Sequence, residues 1–233
     1  MHHLILNGKL HIKKYHHLRK IHSDCLDSMI NYFKNDKYNL NGEIGKLLDE
    51  NKKNNIDISK KIGLKNTDVS FSEDHDIEIM FFYGLSIYKN ADVMHSITEI
   101  YLEKNIFRAK EKVDMLNAMN NVHTSIFHIE KVDPNEGYVY LVDVLTGEKY
   151  KIVDEALSIH NRLDNYYLYS RIITIDDISF GNCSILIEKI DQVEKLISLY
   201  KKEKFSVYDL SINVYRIAYS NNMLDRCVVN NIS

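Results

Sequence analysis

Apolar residues along this chain change their spacing from three-and-four to two, and then back again. From about Ile12 to Lys34, Tyr15, Leu18, His22, Cys25, Met29 and Phe33 recur at helical steps, with Ile21, Leu26 and Ile30 beside them. That predicts one apolar face on a helix of about six turns. Ahead of it, Leu4 to Leu6 reads as a short strand followed by Gly8. Asn35 to Asn39 breaks the helix, and Leu40 to Glu50 predicts a second one with Ile44, Leu47 and Leu48 inward. Asn51 to Asn55 is polar and reads as a loop, and Ile56 to Leu64 as a third short helix ending at Gly63. Ser72, as an N-cap followed by acidic residues, opens a helix to about Lys89 that is apolar almost all round. Ala91 to Asn105 and Phe107 to Met119 continue the helical pattern.

At Val122 the period drops to two. Residues 124–132 (TSIFHIEKV), Tyr138 to Val144, Lys149 to Asp154, Tyr166 to Ile175 and Ser184 to Ile187 are short β-rich runs. Turn signals separate them at Asp133 to Gly137, at Leu145 to Glu148 with Gly147 at positive φ, and at Asp176-Asp177. Tyr138, Tyr140, Val142 and Val144 share one face; Val139, Leu141 and Asp143 share the other. After Glu188 helical spacing returns, with Ile190, Val193, Ile197 and Tyr200 on one helix and Val207, Leu210, Val214 and Ile217 on another. The predicted class is therefore α+β: a helical N-terminal part (1–121), a small antiparallel β-barrel-like sheet (122–188) and two C-terminal helices packing back (189–233).

Composition narrows the class without naming an activity. The 233 residues are 45% hydrophobic and 27% charged, ordinary for a globular protein. Such a chain buries roughly 70% of its unfolded surface and needs no covalent staples. Cys25, Cys183 and Cys227 lie far apart with no CxxC pair, which reads as reduced thiols in a cytoplasmic protein. No apolar run reaches the roughly 18 residues of a membrane span, and the N-terminal one is too short for a signal peptide. Richness in Asn, Lys, Ile and Tyr points to an AT-rich genome, that of a bacterium or its phage. Residues 1–70 hold 13 Lys+Arg against 8 Asp+Glu, and residues 71–233 hold 17 against 25, so a basic front precedes an acidic body.

One stretch resembles a known group. In LVDVLTGEKYKIVD, residues 141–154, the residues Asp143, Leu145, Thr146, Gly147, Glu148, Tyr150, Val153 and Asp154 stand in a pattern similar to one in uncharacterised bacterial proteins that often carry a C-terminal SEC-C motif. Leu157-Ser158 and Leu168 to Arg171 look similar too. The Cys-rich SEC-C zinc motif itself is absent here. The resemblance therefore implies a shared β module, with no zinc or partner role carried over.

Candidate chemistry is sparse. Six of the eleven histidines fall in the first 22 residues (His2, His3, His11, His16, His17 and His22), without an HExxH or HxH arrangement. Asp74-Asp76 and Asp176-Asp177 are carboxylate pairs of the kind that usually mark turns and helix starts. There is no GxSxG, no Cys–His context and no clustered glycines for phosphate. Tyr138, Tyr140, Tyr150, Tyr166, Tyr167 and Tyr169, with Lys131, Lys149, Lys151 and Arg171, offer base-stacking material. The balance over residues 122–188, 5 Lys+Arg against 11 Asp+Glu, weighs against that surface. The reading leans away from an enzyme. It ranks first a cytoplasmic binding or regulatory protein acting through a protein partner or self-association, with no cofactor, no metal and no membrane. The alternatives are a nucleic-acid-binding protein using the basic front helix (Lys13, Lys14, Arg19, Lys20) and a metal-dependent hydrolase using the N-terminal histidines.

Overall fold

The computed structural model describes residues 2–35, 52–64, 96–160 and 162–223. Among them are seven helices and five strands: α1 (His2–Asn35), α2 (Lys52–Lys61), α3 (Ile97–Lys104), α4 (Lys110–Asn120), β1 (His123–Asp133), β2 (Tyr138–Asp143), β3 (Lys149–Val153), α5 (Glu155–Ser158), β4 (Tyr166–Ile175), β5 (Ile178–Glu188), α6 (Asp191–Glu203) and α7 (Val207–Ser220). The expected helices at 40–50 and 72–89, and the start of the one at 91–105, lie outside the described residues.

The strands form one antiparallel sheet in the order β3-β2-β1-β4-β5. It curls without closing, which corrects the barrel-like expectation. β3 stops at Val153, and Asp154 turns the chain into α5 by accepting from Leu157 N at 2.9 Å. β3 is thus too short to pair with β5, and side chains fill the gap instead. A Cβ built on Gly181 of β5 would lie 3.8 Å from Ile152 Cδ1 of β3 and 2.8 Å from the hydroxyls of Ser170 and Ser184. Gly181→Ala is therefore expected to cost about 1–3 kcal/mol by overpacking, read as a lower urea midpoint with an unchanged slope.

Inside the curl lie Phe127, Ile129, Val139, Leu141, Ile152, Leu168 and Ile172, closed by Leu157 and Leu163. The outer face carries two helical layers. Tyr15, Leu18, Ile21, Cys25 and Met29 of α1 pack with α3, α4 and Phe180. α2, α6 and α7 pack on Ile126, Tyr169, Ile185 and Ile187. Every residue of α7 from Tyr208 to Ala218 is buried, the polar ones included. Asn213 donates to Asn55 Oδ1 at 3.1 Å and accepts from Ser59 at 2.7 Å, and Arg216 donates to Ser59 Oγ at 2.9 Å. The α2–α7 contact is therefore partly a buried polar seam.

Three expectations at element ends need correction. Leu4–Leu6 belongs to α1 rather than to a strand. Three apolar residues without a partner strand do not hold an extended conformation against extension of an existing helix. Residues 52–55 of the expected loop are in fact the first turn of α2, which begins at Lys52 and buries Asn55. β5 starts at Ile178, six residues before the expected strand. Gly181 and Asn182 hide it from a propensity reading, and a register shift with Cys183 at φ 53 breaks the alternation.

Candidate functional site

The polar and basic residues of α1 disperse over the body of the protein. His11 stacks on Tyr138 with ring centroids 4.4 Å apart and donates from Nε2 to Glu136 O at 2.7 Å. His16 reaches Glu155 at 2.8 Å and His17 reaches Glu111 at 3.3 Å. His22 is buried against the edge of Phe180, and burial followed by the Arg19 charge lowers its pKa to about 3. Each of these four histidines therefore docks α1 to a different element, and the side chains of His2 and His3 lie outside the described ones. Among the described residues, no group of three or more His, Cys, Asp or Glu is placed to hold a metal ion.

The four front-helix cations also separate. Lys14 binds Asp176 at 3.1 Å and Asp177 at 2.6 Å in the β4–β5 turn. Arg19 is buried, donating to Gly181 O at 3.1 Å with its guanidinium 5.5 Å from the Phe180 ring. Lys13 and Lys20 remain exposed. The carboxylates Asp176 and Asp177 are thereby committed to Lys14, and Asp74-Asp76 lies outside the described residues.

A different constellation gathers at the β1–β2 end. Asp143 closes the inward face of β2 and is fully buried. Its Oδ1 accepts from Ser125 Oγ at 2.9 Å, Leu145 N at 2.7 Å and Thr146 N at 3.1 Å. Its Oδ2 lies 2.7 Å from His123 Nε2. Because an ionised carboxylate only accepts, that nitrogen carries the proton. Burial pushes the Asp143 carboxyl up, and these four bonds outweigh it and hold the pKa below the usual value. His123 stacks on Tyr150 at 4.9 Å, and the Tyr150 hydroxyl donates to Glu148 at 2.8 Å. Ser, His and Asp thus meet, but with both Ser125 and His123 donating to Asp143. With the serine turned to the carboxylate rather than to the imidazole, the cluster is wired to hold a turn. Sequence reading missed it because its members lie 18 and 20 residues apart across a hairpin. The available signal was Asp143 itself, a carboxylate on the otherwise apolar Val139–Leu141 face.

The opposite, outer face of β1–β3 presents another surface. Lys131, Tyr140 and Lys151 stand side by side on three adjacent strands. Their ammonium groups lie 5.4 and 5.8 Å from the Tyr140 ring, and Lys151 also sits 3.4 Å over Tyr138. The next row runs Lys149, Val142, His128, Tyr167, with Lys189 5.1 Å over Tyr167. Tyr140 and Val142 belong to none of the three packed clusters, so among the described residues no helix seals that part of the strip, whereas Tyr167 at its far end packs against α6. Two carboxylates bond to it: Glu130 to Lys149 at 2.8 Å and Glu194 to the Tyr167 hydroxyl at 2.9 Å. Of the tyrosines singled out from sequence, Tyr150 points inward and Tyr169, like Arg171, is buried under the helices.

A family model matches residues 10–222. The chain belongs to that family of unknown function, DUF7986. The DUF7986 match takes in most of α1 and every later described element, so both clusters fall inside it. No curated protein and no solved structure matches the chain. The residues that carried the SEC-C-type resemblance have structural duties in this fold. Asp143 latches the turn, Gly147 takes φ 83, Tyr150 stacks on His123 and Asp154 caps α5. Among the described residues, no helix is long and apolar enough to cross a membrane.

Proposed function

We propose that this chain is a cytoplasmic binding protein that holds a polyanionic macromolecule on the outer face of β1–β3 and works by contact rather than turnover. The observation that carries this reading is the Lys131–Tyr140–Lys151 triplet, two exposed lysines flanking a half-buried ring that no described helix covers. Charge placement supports it. Five of the eleven carboxylates of residues 122–188 are engaged away from the strip: Asp143 and Asp154 are buried and hydrogen-bonded, Asp176 and Asp177 hold Lys14, and Glu155 holds His16. Protein–protein interfaces are depleted in lysine relative to the rest of the surface. A strip framed by Lys131, Lys149, Lys151 and Lys189 therefore fits a polyanion better than the protein partner ranked first from sequence.

A benzophenone-bearing residue placed at Tyr140 in the full chain is expected to give a light-dependent covalent adduct in cells. The adduct should disappear when Lys131 and Lys151 are both replaced by glutamate. The same probe at exposed Lys202 on α6 is expected to give none. Equal adducts from both positions, or no adduct from position 140, would overturn the reading.

A further inference from the structure

We infer that the macromolecule held on this strip is a single-stranded nucleic acid, with a base stacked on Tyr140 and phosphates at Lys131 and Lys151. The inference rests on the binding-face reading above and names its partner class. Binding of single strands without sequence readout needs a cationic track and a flat ring set in it, because every base has a π-face while every phosphate needs a counter-charge. The strip holds both at β-sheet spacing. Tyr140 lies between two lysines in cross-strand register, and their ammonium groups lie 5.4 and 5.8 Å from its ring. The second row adds Lys189 with the partly exposed rings of His128 and Tyr167, and Lys149 there is paired with Glu130. A duplex keeps its bases stacked inward and offers Tyr140 no free ring face. The geometry therefore favours unpaired strands. Tyr138 does not serve as a second platform, since His11 is stacked on its ring at 4.4 Å and Lys151 lies 3.4 Å over it.

The exposed cations of α1 supply the internal control. Lys13 and Lys20 are open to solvent on an element that leaves the strip bare. If the basic front were the site, they would carry binding; on the present inference they do not.

The test is fluorescence anisotropy of the full-length protein with labelled 12-nucleotide single strands, RNA and DNA, at several salt concentrations. Binding is expected, with a log–log salt slope of about −2, the value for roughly three phosphates neutralised on a single strand. The matching duplex is expected to bind at least about tenfold more weakly. Tyr140→Leu, which keeps an apolar β-compatible side chain, is expected to weaken single-strand binding about tenfold. Lys131→Gln with Lys151→Gln is expected to do so by a similar factor and to flatten the slope, while Lys13→Gln with Lys20→Gln leaves both unchanged. All variants are compared at unchanged melting temperature; if Tyr140→Leu melts early, Tyr140→Thr replaces it. Binding lost with Lys13 and Lys20, binding indifferent to residue 140, or a preference for duplex would each overturn the inference. Wild-type protein that ignores the oligonucleotides but still forms a protease-sensitive, nuclease-resistant adduct from position 140 sinks the nucleic-acid assignment and leaves the binding face standing. Absence of any adduct sinks both.

Discussion

Replacing Asp143 by alanine is expected to destabilise the protein by about 3–5 kcal/mol, measured by urea unfolding at pH 7. The carboxylate is fully buried and satisfies four donors: His123, Ser125, and the amides of Leu145 and Thr146. Alanine leaves Ser125 without its acceptor in the interior and strips the Leu145 and Thr146 amides of the turn of theirs, while His123, at the mouth, recovers water. Asp143→Asn keeps one oxygen for the Oδ1 donors but presents an amide to His123 Nε2, so a loss of roughly half that size is expected. Acid separates the two variants further. The folded pKa of Asp143 lies below its unfolded value, so the group contributes stability above the unfolded pKa and loses it as pH falls through the folded one. Wild type and Asp143→Asn should therefore converge in stability as pH drops from about 4 toward the folded pKa. A loss under about 1 kcal/mol for Asp143→Ala would mean the turn is held by its backbone alone, and the latch assignment would fall.

That latch shows where sequence reading stops. Alternation at residues 138–144 puts Asp143 on one face with Val139 and Leu141, and the Thr146-Gly147 turn is legible from its glycine. What one strand cannot disclose is its neighbour. Ser125 and His123 reach Asp143 only because β1 and β2 pair Phe127 with Asp143, a register set by the whole hairpin. The same limit explains Arg19, which sits in a run of exposed-looking cations and turns inward only where Gly181 offers a carbonyl and Phe180 a ring. It explains α2 as well: Asn55 reads as a loop residue and Ser59 as a polar position of a short helix, and they are buried because Asn213 and Arg216 of α7 complete their hydrogen bonds. Apolar periodicity reports faces that meet oil and is silent on polar faces that meet each other. The outer strip was half legible. Its tyrosines and lysines are visible from sequence, but a summed charge does not show that Asp143, Asp154, Glu155, Asp176 and Asp177 are engaged away from it.

Acid should act on this protein well before the carboxylates protonate, and His22 is the expected cause. The ring is buried under α1, edge-on to Phe180 at 5.9 Å, with the Arg19 charge on the same helix. Both burial and that charge disfavour the imidazolium, so its folded pKa is about 3 while the unfolded chain titrates at the model value of 6.5. A lowered folded pKa means stability is full above the unfolded value and is lost as pH falls toward the folded one. Unfolding free energy should thus drop by about 1.4 kcal/mol per pH unit below 6.5, or roughly 2–3 kcal/mol by pH 4.5. Asp143 adds little over that interval, because its own linkage begins only near the unfolded carboxylate pKa of about 4. His22→Leu, close in volume and unable to bind a proton, should remove this part of the slope whatever it does to stability at pH 7. The remaining histidines are common to both proteins and cancel in the difference. Urea unfolding of the pair at half-unit steps from pH 7 to 4.5 reads the effect directly. Parallel curves would show that His22 protonates as readily in the folded protein as in the unfolded chain, and that α1 does not seal it from water.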